Sequence, residues 1–164
     1  MVKEKFNEGD YVVYPAHGVG KLVGMESQEI AGHSVKLLVI SFEKDRMVLR
    51  LPASKAQDSG LRPISTKSVM SEAVKTLKTK TKARRTMWSR RAQEYETKIN
   101  SGDLVALAEV IRDLYRSADQ PDQSYSERQL YQGAMERFIR EYAAVEEIDE
   151  TTAVTKLENI LEAA

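Results

Sequence analysis

Cysteine is absent from all 164 residues, which removes disulfides, thiolate metal centres and cysteine nucleophiles together and suits a reducing compartment. Histidine occurs only as His17 and His33, both in expected turns, and the spacings HExxH, GxSxG and GxGxxG are missing, as is the P-loop. Catalysis and metal binding have little to build on, so the chain reads as a non-enzyme without cofactor or small-molecule substrate. No stretch approaches the roughly 18 apolar residues of a membrane span, and no apolar segment follows Met1-Val2-Lys3-Glu4-Lys5. A cytoplasmic protein is expected, neither exported nor embedded. Net charge is missing too, with Lys+Arg 25 against Asp+Glu 25.

That neutrality makes the distribution of charge informative. Lys75, Lys78, Lys80, Lys82, Arg84, Arg85, Arg90 and Arg91 lie in one stretch that holds no acidic residue and encloses the only tryptophan, Trp88. Clustered cations neutralise phosphates and release counterions, while a flat ring beside them can stack on a base or wedge into a base step. The compensating acid, Glu141, Glu146, Glu147, Asp149, Glu150, Glu158 and Glu162, sits at the other end and makes the chain polar in charge, with Glu146-Glu147 and Asp149-Glu150 read as an exposed, solubilising helix start. A solvated helix face is the alternative reading of the basic run.

The two parts of the chain differ in period. Up to about Pro63, short runs rich in Val, Ile, Leu and Tyr predict strands at Tyr11 to Tyr14, Val19 to Met25, Val35 to Phe42, Met47 to Leu51 and Leu61 to Ile64. Hairpin-length separators stand between them at residues 15–18, 31–33 and 43–45. Five strands in about 60 residues point to a small antiparallel barrel or half-barrel, a shape that more often binds than catalyses. Gly18-Val19-Gly20 reads as a tight strand entry rather than a phosphate loop.

After Ser65 the spacing becomes helical: Val69, Ala73, Val74 and Leu77 on one face, then Leu104, Leu107, Ala108, Ile111 and Leu114 on another. Ser101-Gly102-Asp103 ends one helix and caps the next; Pro121 and residues 124–126 precede a helix through Leu130, Met135, Phe138 and Tyr142. Asp149 caps a last helix with Val154, Leu157, Ile160 and Leu161 inward. The expectation is an α+β protein, a β module over residues 1–64 followed by a bundle of about five helices over 65–164. Thr86 is the expected N-cap of the helix carrying Trp88, which puts the ring in a first turn whose free amides favour phosphate. Inward positions there are Ala92, Tyr95, Glu96 or Ile99, and Trp88 itself is open to either an exposed or a core role.

The segments Gly9-Asp-Tyr-Val-Val-Tyr-Pro-Ala-His-Gly18, Val48-Leu-Arg-Leu-Pro52, Met87-Trp-Ser-Arg-Arg91, Ile99-Asn-Ser-Gly-Asp103 and Ala108-Glu-Val-Ile-Arg-Asp-Leu114 together resemble the CarD and CdnL family of bacterial transcription regulators, in register from about Asn7 onward. The resemblance implies a two-part adaptor. Its N-terminal module, Tudor-like and shared with a transcription-repair coupling factor, binds the RNA polymerase β subunit, and its helical domain contacts promoter DNA at the upstream edge of the melted bubble. The family's wedge tryptophan falls on Trp88, with Arg90 and Arg91 as phosphate partners, and its polymerase-contacting arginine falls on Arg50. A second such arginine in one member falls on Gln28, where this sequence departs; Gln93 likewise replaces a basic residue, which shifts phosphate contact toward Arg84 and Arg85. Such a protein stabilises the open complex and is nucleoid-associated only through polymerase. The alternative from composition alone is a general nucleic-acid-binding or architectural protein that never docks on polymerase.

Overall fold

Alternating apolar residues give a strand one face to bury, and the N-terminal strands share theirs in a single sheet. The computed structural model describes residues 7–43, 46–56, 58–79, 87–115 and 124–163. It has an α+β architecture, an antiparallel five-stranded sheet followed by five helices, and it divides into compact units Met1–Ile64 and Ser65–Ala164.

The sheet comprises β1 (Tyr11–Tyr14), β2 (Gly18–Ile30), β3 (His33–Phe42), β4 (Met47–Pro52) and β5 (Arg62–Pro63), in the order β4-β3-β2-β1-β5. Among the described residues no ladder joins β4 to β5, so the sheet is open at both edges. Val12, Leu22, Leu38, Ile40, Phe42 and Leu51 line its core with Ala56 and Leu61. β2 and β3 outrun their apolar segments. Ala31 and Gly32 both have positive φ, 52 and 79 degrees, the backbone of a two-residue turn whose twist matches the strands it joins. Pairing therefore persists to Ile30↔His33, and the polar residues Glu26 to Glu29 become strand.

Of the two glycines flanking Val19, Gly18 supplies a positive φ of 82 degrees at the strand entry. Gly20 does something else: a Cβ there would lie 2.7 Å from Phe42 Cε1 and 2.8 Å from Ile40 Cγ2, so its bare backbone makes room for the core. His17 stacks on Tyr14 at 5.6 Å and packs against Phe42 at 5.5 Å, a packing role.

The helices are α1 (Lys67–Lys78), α2 (Trp88–Asn100), α3 (Leu104–Leu114), α4 (Tyr125–Glu146) and α5 (Glu150–Ala163). Side-chain caps set most starts: Thr66 accepts from the Val69 amide, Asp103 from Val105, Ser124 from Glu127 and Asp149 from Thr152. Gly102, at φ 78 degrees, turns the chain from α2 into α3. Helix α3 lies at the centre, packed against α1, α2 and α4, with Leu104, Leu107, Ala108, Val110, Ile111 and Leu114 all buried.

The structure corrects several expected faces. In α1 Met70, not Val69, lies inward with Ala73 and Leu77, because three- and four-residue steps from Ala73 and Leu77 reach Met70. Val154 and Ile160 are half-buried beside the inward Ala153, Leu157 and Leu161. On α2 only Tyr95 is buried; Ala92 and Ile99 are half-buried and Glu96 is exposed. Glu141, one of the acidic residues concentrated toward the C-terminal end, is buried and accepts a 2.8 Å hydrogen bond from the Ser65 amide. Its charge thus serves the chain entering α1.

Candidate nucleic-acid interface

The basic stretch meets the tryptophan at the start of α2. Met87, not Thr86, occupies the N-cap position and offers no side-chain acceptor to the first turn. Thr86 lies outside the described residues, as do Lys80, Lys82, Arg84 and Arg85, so the interface described for α2 begins at Met87.

Trp88 is half-buried. Its indole Nε1 donates to Ser126 Oγ at 3.2 Å, on the first turn of α4, and its ring tilts against Tyr95 at 6.3 Å and 48 degrees. At the other end of α2, the Ile99 carbonyl accepts from Arg137 Nη1 at 3.1 Å, further along α4. Trp88 with Ser126 and Ile99 with Arg137 can both be neighbours only if α2 and α4 run parallel, so their N-termini share one end of the bundle. That end carries two positive helix-dipole termini. It also carries Met87 at 74% exposed, Tyr125 at 77%, and the exposed cations Arg90 and Arg128.

Tyr125 and Arg128 do not stand out in the sequence. They lie outside the basic stretch, and only the pairing of α2 with α4 brings them beside Trp88. The Arg91 guanidinium sits 5.6 Å from the Trp88 ring centre and 5.8 Å from that of Tyr95. Arg90 faces solvent.

In the β unit, Arg50 pairs with Val39, which pairs with Gly24, while Glu26 pairs with Leu37 and Gln28 with Val35. Residues two apart on a strand share a face, so Arg50, Glu26 and Gln28 project from the same face of the sheet. Arg50 Nε donates to Glu26 Oε2 at 3.1 Å, and both side chains remain about half exposed, at 51% and 44%.

Burial shifts three tyrosines and one arginine of the helical unit. Tyr131, half-buried on α4, is pushed up to about 12 chiefly by burial; Tyr115 and Tyr142 are raised for the same first reason. Burial, and then Arg140, lowers Arg137. Among the described residues no group of three or more His, Cys, Asp or Glu side chains could hold a metal ion, and no helix is long and apolar enough to cross a membrane.

Comparison with known proteins covers both units. The family described as CarD, C-terminal domain matches residues 72–158, and the CarD-like/TRCF RID domain matches residues 6–65. YdeB of Bacillus subtilis (strain 168), named as a candidate transcription factor, is 28% identical over 145 residues, covering 88% of this chain and 95% of that protein. The solution NMR structure of the 72-residue N-terminal domain of Myxococcus xanthus CarD is 28% identical, covers 38% of this chain and 84% of its own, and superposes with a TM-score of 0.32.

Proposed function

The chain belongs to the CarD family of transcription factors, and from that premise we propose that it binds the RNA polymerase β subunit through residues 1–64 and holds promoter DNA open through residues 65–164. A CarD-like/TRCF RID domain implies polymerase interaction in general. Arg50, with Gln28 on the same face, is the anchor on the β subunit. Trp88 enters the DNA at the upstream edge of the bubble, and Arg90 holds phosphate there with Arg84 and Arg85 just upstream.

The observation that carries the reading is the combination at one end of the helical unit. There the sole tryptophan is tethered along one edge by Ser126, flanked by exposed Met87 and Tyr125, and placed among Arg90, Arg128 and two helix N-termini. Apolar side chains that unstack a base step next to phosphate-binding cations are the elements a wedge needs. The chemistry is equilibrium binding: contacts made only with the melted strand stabilise that state and slow bubble collapse.

The deciding experiment is open-complex lifetime on a ribosomal RNA promoter with wild type, Trp88→Ala and Arg50→Glu. A large loss with both variants supports the adaptor. An Arg50→Glu protein that still lengthens the lifetime as wild type does supports instead an architectural nucleic-acid-binding protein that needs no polymerase contact.

A further inference from the structure

We propose that Arg91 is a positioning residue that clamps Trp88 in its working orientation and does not itself hold phosphate. The helix spaces Trp88, Arg91 and Tyr95 at i, i+3 and i+7, which stacks them along one face of α2. The guanidinium lies 5.6 Å from one ring centre and 5.8 Å from the other. The ring centres are themselves 6.3 Å apart, so the guanidinium sits beside the pair and touches both, a place that a planar, weakly hydrated cation fills better than a compact, strongly hydrated ammonium.

The donors of Arg91 point the same way. Its Nε is enclosed and has no hydrogen-bond partner among the described residues, so a side-on fork to a phosphate is closed to it. Its Nη2 donates to Tyr95 Oη at 3.3 Å, and Tyr95 Oη donates to Asp113 Oδ2 at 3.4 Å. Buried Asp113 also accepts from Arg112 Nε at 2.9 Å, and Arg112 Nη1 donates to Thr79 Oγ1 at 3.0 Å. A polar chain therefore runs from the C-cap of α1 through α3 to the clamp beneath Trp88. The two arginines of Trp88-Ser-Arg-Arg91 divide the work: Arg90 faces solvent and Arg91 faces the rings. The effect on promoter opening rests on the reading of Trp88 as a wedge; the clamp itself does not.

Because Trp88 is the only tryptophan, fluorescence excited at the red edge of the absorption band, where the seven tyrosines do not absorb, reports its ring alone. Arg91→Lys keeps the charge and loses the plane. It is expected to red-shift the Trp88 emission, add a fast component to the anisotropy decay and shorten open-complex lifetime at least fivefold, while Arg90→Lys leaves the fluorescence as it was. Tyr95→Phe keeps the core ring and removes the hydroxyl link, so it should loosen Trp88 in the same direction even where Arg91→Lys folds poorly. Arg91→Gln should leave the salt dependence of duplex binding unchanged. Wild-type fluorescence in folded Tyr95→Phe or Arg91→Lys would overturn the clamp, as would a drop of about 0.9 in the salt slope with Arg91→Gln, the signature of one lost phosphate. A loosened Trp88 with an unaltered open-complex lifetime would leave the clamp standing and remove the wedge.

Discussion

Arg50 on β4 and Glu26 on β2 pair across the whole width of β3, the guanidinium reaching over the rows of Val39 and Leu37 to a carboxylate 3.1 Å away. A half-exposed pair of this kind contributes at most about 1 kcal/mol to folding. In the proposed docking its larger effect is on availability, since an acidic group on polymerase would compete with Glu26 for Arg50. Glu26→Gln is therefore expected to tighten polymerase binding several-fold with little change in melting temperature. Arg50→Glu is expected to weaken it by about 2 kcal/mol, because the reversal loses the partner and adds repulsion. Surface plasmon resonance with core polymerase measures both, and equal affinities for the two variants would remove this pair from the interface.

The N-cap of α5 gives a pH dependence with a definite sign. Hydrogen bonds donated by Thr152, first from its hydroxyl and then from its backbone amide, hold the Asp149 carboxyl below its ordinary value of 3.8. A carboxylate depressed in the folded state adds stability that is fully present above the unfolded value and is lost as pH falls through the lower folded value. Asp149→Ala should thus melt earlier than wild type at pH 7. The gap should close as acid titrations pass below pH 3.8 toward the folded value, and a gap independent of pH would show that packing, not the cap, was lost.

How far the sequence carries depends on what each feature rests on. Strand and helix locations and three of the caps are legible because they are local: Asp103 and Asp149 precede apolar runs, and Gly102 follows a helix. The length of β2 is not, because residues 26–29 are polar and only the turn at Ala31-Gly32 commits them to strand. The site divides the same way. Trp88 and Arg90 stand out as an aromatic among cations, whereas Tyr125 and Arg128 join them only through tertiary pairing of parallel helices. Arg91 reads as a phosphate partner in the sequence, and its spacing of three from Trp88 and four to Tyr95 puts it on the helix face that carries both rings.

Half-burial gives Trp88 a stability role as well as a binding one. Truncating a fully buried tryptophan costs about 3 to 5 kcal/mol, so removing this one should cost about 1 to 2 kcal/mol and several degrees of melting temperature. Ser126→Ala removes only the acceptor of the indole N–H and should cost less than about 1 kcal/mol. If the tether orients the ring toward DNA, Ser126→Ala will still shorten open-complex lifetime measurably, roughly two- to fivefold. Differential scanning calorimetry beside filter-binding decay on the same preparations separates the two effects. A Ser126→Ala protein with wild-type lifetime would mean that Arg91 and Tyr95 hold the ring without help from α4.

Arg90 and Arg128 test whether the shared end of α2 and α4 is one DNA-binding surface. The two cations come from different helices and are separated in sequence, yet both are exposed at the end marked by Trp88, Met87 and Tyr125. Each phosphate contact contributes about 0.9 to the slope of log affinity against log salt on duplex DNA. Arg90→Gln and Arg128→Gln should each lower that slope by about one contact, and the double variant by about two, with no change in preference among duplex sequences because neither residue reads a base edge. Exposed Lys156, on α5, is the control whose replacement should leave the slope alone. If Arg128→Gln behaves like the control while Arg90→Gln does not, the surface ends at α2, and Tyr125 is exposed for some other reason than DNA.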